Sequence, residues 1–205
     1  MSLSLITPAT GLPVTVEEVA AHCRVDAPTA EDHALLDIYI RTAAEWAFGA
    51  HGWTGRSLLN EVYDVSFDTW AGEIPRSWKG YEGAWRGPAE LRLPRAKVQS
   101  VTSITYVDTD GADQTLAADQ YRLVDRHGAG VVVPAYNVTW PTLRPQEAAV
   151  TVRFTAGYGA DWNAIPQDLR TGLAQLTAFL WENRTTAVPD LFVPAFRKFQ
   201  VSWSV

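Results

Sequence analysis

Four histidines (His22, His33, His51 and His127) and a scatter of carboxylates are the groups in this 205-residue sequence best suited to hold a metal or move a proton. Their spacing supports neither task. No two histidines stand four residues apart, and His22 and His33 fall on different predicted helices, so no pair is set to grip one ion. Asp108, Asp110 and Asp113 surround Gly111. A calcium loop needs a spaced ligand series ending in a bidentate acid, which is missing here, so turn chemistry explains these aspartates. Cys23 is the single cysteine, which removes Cys-based metal sites and any internal disulfide. The sequence contains no HExxH, no Gly-x-Ser-x-Gly and no phosphate loop. Gly157-Tyr158-Gly159 lacks the third glycine of a dinucleotide fingerprint, and the next helix starts too late to offer its N-terminus to a pyrophosphate. It is predicted to be a strand-to-helix turn. Asn137-Val138-Thr139 and Asn183-Arg184-Thr185 fit the glycosylation sequon, but Met1 to Pro8 has no basic residue and no cleavage site of a signal peptide. Paired carboxylates for a hydrolase cannot be placed. The expectation is a protein without catalysis, cofactor or metal.

Aromatics offer a second kind of chemistry. Nine tryptophans are many for this length. Trp70, Trp78, Tyr81 and Trp85 lie in a glycine-rich stretch, and exposed there they would form a stacking platform for sugars, making the chain a carbohydrate-binding module. Burial under the loop or against a neighbouring subunit is the simpler expectation, because Trp and Tyr are enriched at interfaces.

The elements that must position these residues are legible from periodicity. Thr15 followed by Glu18 reads as a capping box opening a helix with Val16, Val19, Ala20 and Cys23 on one side. Thr29 caps a second helix, with Asp32 in its first turn, and Leu35, Leu36, Tyr39, Ile40, Ala43, Trp46 and Ala47 form its apolar stripe. A stripe that wide demands a partner helix or a neighbouring subunit, and Tyr39, Trp46, Trp78 and Trp85 are candidate subunit-interface residues. The period then changes to two. Tyr63, Val65 and Phe67, the run Val101 to Val107, the hairpin Tyr121–Val124 with Val131–Val133, and Val150, Val152 and Phe154 read as strands. Helical period returns after Pro166 with Leu169, Leu173, Leu176, Leu180 and Trp181. The predicted fold is α+β, a small helical bundle (1–56 and 157–184) with an inserted, mainly antiparallel β unit (57–156) and an extended C-terminal tail (185–205). From Phe199 the tail alternates strictly: Phe199, Val201, Trp203 and Val205 against Gln200, Ser202 and Ser204. That predicts a strand with one face for burial.

Composition sets the bounds. At 47% hydrophobic and 20% charged residues the chain can bury a core unaided. No apolar run approaches the roughly 18–20 residues of a membrane span, so no membrane partner is expected. The net charge of −6 is concentrated early. Glu17, Glu18, Asp26, Glu31, Asp32, Asp37 and Glu45 face only Arg24 and Arg41 within residues 1–50. That balance argues against wrapping nucleic acid, yet allows a channel lining along which DNA slides without sticking.

The ordered series of motifs resembles the head–tail connector (adaptor) family of long-tailed phages and gene transfer agents. Pro13-Val14-Thr15-Val16-Glu17-Glu18-Val19-Ala20-Ala21-His22-Cys23-Arg24-Val25-Asp26 is similar to the family's opening. Ala34-Leu35-Leu36 through Ala43-Ala44 to Gly55-Arg56-Ser57-Leu58 follows its second helix and exit. Leu93-Pro94-Arg95, Val98 to Tyr106 and Asp119-Gln120-Tyr121 resemble the β insertion of its longer members. Val152 to Gly159, Ile165-Pro166 and Glu182-Asn183-Arg184 resemble the approach to its last core helix and that helix itself. Residues 70–88 and 189–205 depart from the pattern. The resemblance implies a structural ring of about twelve copies below the portal protein, in the neck of a virion or phage-like particle and in the host cytoplasm during assembly. The ring extends the DNA channel without sequence-specific binding and carries the next neck or tail-completion protein. Within that frame the tail becomes the portal-docking element through Phe196, Arg197, Lys198, Phe199, Val201, Trp203 and Val205, adding a strand to a portal sheet; the alternative is that it folds back on its own subunit or on a ring neighbour. The free protein is expected to stay monomeric or weakly associated until a template closes the ring.

Overall fold

The computed structural model describes residues 1–49, 52–70, 89–126, 128–185 and 187–201, which divide into two compact units. The fold is α+β with antiparallel sheets.

The helical unit comprises Pro8–Asn60 and Gly157–Gln200. Helix α1 (Val16–His22) starts where Thr15 Oγ1 accepts the Glu18 N–H at 3.0 Å. The Glu18 carboxylate does not reach back to complete a capping box; it lies 2.8 Å from the Arg170 guanidinium of helix α3, which is the stronger partner. Helix α2 (Ala30–Phe48) has the full box instead: Thr29 Oγ1 accepts from Asp32 N, and Asp32 Oδ2 accepts from Thr29 N. Helix α3 (Gln167–Asn183) follows Pro166, which sits at the cap one position before the first helical residue. Leu36, Tyr39, Ile40, Ala43 and Ala47 of α2 share a core with Val19 and Ala20 of α1 and Leu169, Leu173, Leu176 and Leu180 of α3. The partner demanded by the broad α2 stripe is therefore within the same chain. Leu58 and Leu59, expected at the start of the β unit, are buried in this helical core.

The β unit comprises Met1–Thr7, Glu61–Ala156 and Val201. Its strands are β1 (Ser2–Thr7), β2 (Glu61–Phe67), β3 (Leu91–Arg92), β4 (Val98–Val107), β5 (Asp113–Thr115), β6 (Tyr121–Arg126), β7 (Ala129–Pro134) and β8 (Val150–Ala156). One sheet runs β1-β2-β8-β4-β5 and the other β3-β7-β6, antiparallel throughout. Alternation sends Tyr63, Val65, Phe67, Val150, Val152 and Phe154 inward, where they meet Ile104, Leu91, Leu93 and Val132. The first seven residues, expected with the helical body, form a sheet strand: Leu3 pairs with Val65 and Leu5 with Tyr63.

The tail departs most from expectation. Residues Asp190–Phe192 form a 3-10 turn and Val193–Arg197 a short helix, α4. Phe196 is fully buried, edge-to-face against Phe48 (5.4 Å) and Trp46 (6.2 Å). Phe199 packs on the same core, and no strand forms from Phe199 to Val201. Pro194 occupies the first turn of α4, where a missing N–H costs nothing.

Candidate assembly surfaces

Several of the described groups that could do chemistry are engaged in local structure. Asp108 Oδ1 accepts from the Asp110 and Ala112 N–H groups, and its Oδ2 accepts from the Gln114 amide at 2.8 Å. These bonds, the Gln114 amide first, hold its carboxyl below the usual carboxylate range, as a turn-forming aspartate requires. Burial, with a smaller contribution from Glu182, pushes the Cys23 thiol up and away from reactivity. His22 is exposed at the end of α1 and His33 lies half-buried in the first turn of α2; His51 and His127 lie outside the described residues. Among the described residues no group of three or more His, Cys, Asp or Glu is placed to hold a metal ion. Asn183 donates its side-chain amide to the Phe179 carbonyl at 2.8 Å.

Gly157 serves the turn. Its φ is +148°, and a Cβ there would stand 2.4 Å from the Leu59 carbonyl oxygen. Tyr158 N donates to Leu58 O and Asn60 N donates to Gly159 O, so two backbone segments run side by side at a distance that only glycine allows.

The described tryptophans are spent internally. Trp70, only 7% exposed, stacks on Trp140 with centroids 4.5 Å apart and planes 6° from parallel. Their indole N–H groups donate to the Pro141 and Ala89 carbonyls at 2.8 and 2.7 Å. A ring buried on one face by a second indole and bonded at its edge cannot serve as a sugar platform, which corrects that role for Trp70. Trp162 and Trp181 lie under the Arg170 and Arg184 guanidinium groups, each at 4.4 Å. Trp78, Tyr81 and Trp85 lie outside the described residues.

Tyr39 and Trp46, expected at a subunit interface, make contacts within the chain. Tyr39 is buried with Leu36 and Ile40, and Trp46 is half-buried between Trp53 (5.8 Å) and Phe196. Periodicity marked both as apolar-face residues but could not say that α3 and α4 cover that face.

Of the residues expected to dock on a partner, Phe196 and Val201 are buried in the chain itself, and Phe199 is half-buried. Val201 clusters with Ala96 and Ala129 of the β unit. The Phe199 carbonyl accepts from Arg56 Nε, and Lys198 Nζ donates to Asp168 Oδ2. The Lys198 ammonium holds the Asp168 carboxyl below its ordinary value. Arg197 is exposed. Trp203 and Val205 lie outside the described residues.

Among the described residues, exposed apolar side chains remain at three kinds of place. Ile38 projects from α2 beside the Asp37–Arg41 ion pair (2.8 Å). Tyr136 and Leu191 stand exposed on connecting segments. Leu5 and Ile6 stand exposed on β1, at an edge of the larger sheet. The sequence signal for β1, the alternation Ser2-Leu3-Ser4-Leu5, was present but short, and its proximity to a helical opening hid it.

No protein-family model matches the sequence, and no curated protein does. Solved structures do. The chain is similar to a component of the neck of an empty gene transfer agent particle, computed with C6 symmetry, at 27% identity and a TM-score of 0.71, covering 100% of this chain and 98% of that one. It is similar at 25% identity and a TM-score of 0.68, with the same coverage, to a chain in the virion of the native gene transfer agent particle. A third match, 24% identical with a TM-score of 0.66, is in the neck of the native particle computed with C12 symmetry, and shows the shared fold.

Proposed function

We propose that this chain is a head–tail connector (adaptor) subunit in the neck of a gene transfer agent or related phage-like particle. The observation that carries the reading is the full-length match to a component of a gene transfer agent neck and to a chain of the native virion: both units, in order, with only 2% of the matched chains left uncovered. A fold kept from end to end by proteins of such a particle supports the same station for this one. The C6 symmetry of the matched neck supports a homo-oligomeric ring, and the family resemblance puts the copy number at about twelve.

The ring joins a portal protein to the next neck or tail-completion protein and extends the DNA channel. The net charge of −6 per copy suits a passage that does not retain DNA, since net negative charge opposes binding of the backbone phosphates. Portal contact falls to the exposed side of the folded C-terminal segment, Leu191, Arg197 and Lys198, while Phe196 and Phe199 anchor that side to the helical core. The role needs no catalysis, and Asp32, Asp108 and Glu18 are used in a cap, a turn and an ion pair.

The experiment is to mix the purified protein with the portal protein encoded beside it and to image the product by negative stain. A ring added to one face of the portal is the expected result. Portal particles unchanged at saturating protein would overturn the reading.

A further inference from the structure

The four sheet edges among the described residues are not equally defended. A free edge exposes a row of unpaired backbone N–H and C=O groups, and native proteins blunt it with charge, proline or brevity. Edges β3 and β5 are two and three residues long. Edge β6 is six residues long and carries Arg122, Asp125 and Arg126, all exposed. Edge β1 is also six residues long, Ser2–Thr7, but has no charge and no proline. Its Leu5 and Ile6 are 39% and 45% exposed. Its inner side is held by β2 from Ser2 to Thr7, so the strand is formed, and no described strand pairs with its outer side. This is the pattern of an edge kept for pairing rather than one protected against it.

We infer that the outer edge of β1 accepts strand β6 of a second copy of this chain in the assembled ring. The inference rests on the connector reading, since a ring of identical copies requires a surface that meets a different surface on its neighbour. β1 and β6 are the two six-residue edges among the described residues, so they match in length. Charge counts against pairing β6 with β6, and the ring's need for two different surfaces counts against β1 with β1. Like charges directly opposite across a ladder are destabilising, and an uncharged β1 places none against Arg122, Asp125 or Arg126 in any register. Each copy then gives one edge and receives the other, and the contact propagates around the ring until it closes.

The test uses the full chain on the portal. Ser4 and Ile6 are exposed, and Ser4 lies opposite Asp64, so Ser4→Lys with Ile6→Lys leaves the fold intact while placing two charges on the edge. The expected result is a circular dichroism spectrum and melting temperature like the parent's, with ring formation on the portal weakened at least about tenfold, because two lysines protect the edge against pairing and set like charge against Arg122 and Arg126. The second measurement holds if that variant fails to fold. Ser4→Cys and Arg122→Cys are combined in a Cys23→Ser background, assembled, and treated with a short bis-maleimide. A ladder of dimer, trimer and higher species from the double variant, with little from either single one, supports the β1–β6 contact. Rings from the lysine variant at the parent's yield, no ladder, or dimers from Ser4→Cys alone, which report β1 pairing with β1, would each overturn it. If the parent forms no ring on the portal, the connector reading fails and the inference falls with it; if the parent forms rings and these variants behave otherwise than expected, only the inference fails.

Discussion

Replacing Phe196 with alanine separates a folded C-terminal segment from a free docking arm. Phe196 is fully buried, lies edge-to-face against Phe48 and Trp46, and touches the bare backbone of Gly172, where an added Cβ would stand 3.0 Å from the ring. Truncating a buried phenylalanine costs about 3–5 kcal/mol, from lost transfer energy plus the cavity left behind. The two aromatic pairs contribute about 0.5–1.5 kcal/mol each within that sum. Phe196→Leu keeps most of the volume and loses mainly the pairs, so it should cost about 1–3 kcal/mol. Against a total stability of about 5–15 kcal/mol, the alanine variant loses a large fraction of what holds the unit. Urea unfolding followed by tryptophan fluorescence reads this directly, because Trp46 is a neighbour. The predicted order of midpoints is parent, then Phe196→Leu, then Phe196→Ala. Midpoints that coincide for all three would refute the packing and return the segment to the solvent.

Gly157→Ala should destabilise by about 1–3 kcal/mol in the same assay, because its φ of +148° and the 2.4 Å approach to Leu59 O exclude a side chain. Thr29→Ala should remove about 1 kcal/mol of helix stability and let the Asp32 carboxyl, now held low by its bonds to the Thr29 backbone and hydroxyl, rise toward its ordinary value in an NMR titration. Lys198→Met should lower the melting temperature at neutral pH. The Asp168 carboxyl is depressed by Lys198, so the contribution is complete above the ordinary value of 3.8 and disappears as the pH falls through the folded one; parent and variant should converge in acid. A difference that persists undiminished at pH 2 would point to packing by the lysine stem instead.

Much of the fold was legible because its elements carry strong periods. The α2 stripe, the β2 and β8 alternations and the Leu169–Leu180 face each named their own buried side. What periodicity could not supply was the identity of the covering element. Tyr39 and Trp46 look the same in sequence whether a neighbour or α4 covers them. The tail misled for a related reason. Phe199 and Val201 do alternate with polar residues, but Phe196 lies three before Phe199 and finds a ready pocket over Gly172, so tertiary burial overrode the strand pattern. β1 was missed because four alternating residues are a weak signal unless the partner strand is known. For the assembly surfaces, sequence marked apolar residues well and exposed ones poorly, since exposure depends on all the other elements.

The most direct measurement of the central claim is a symmetry-averaged image of the protein bound to its portal. The account predicts a closed ring of about twelve copies, one beside each portal subunit, with the chain fitting each lobe as a whole. A protein that stays monomeric beside bare portals, or that attaches elsewhere in the particle, would contradict it.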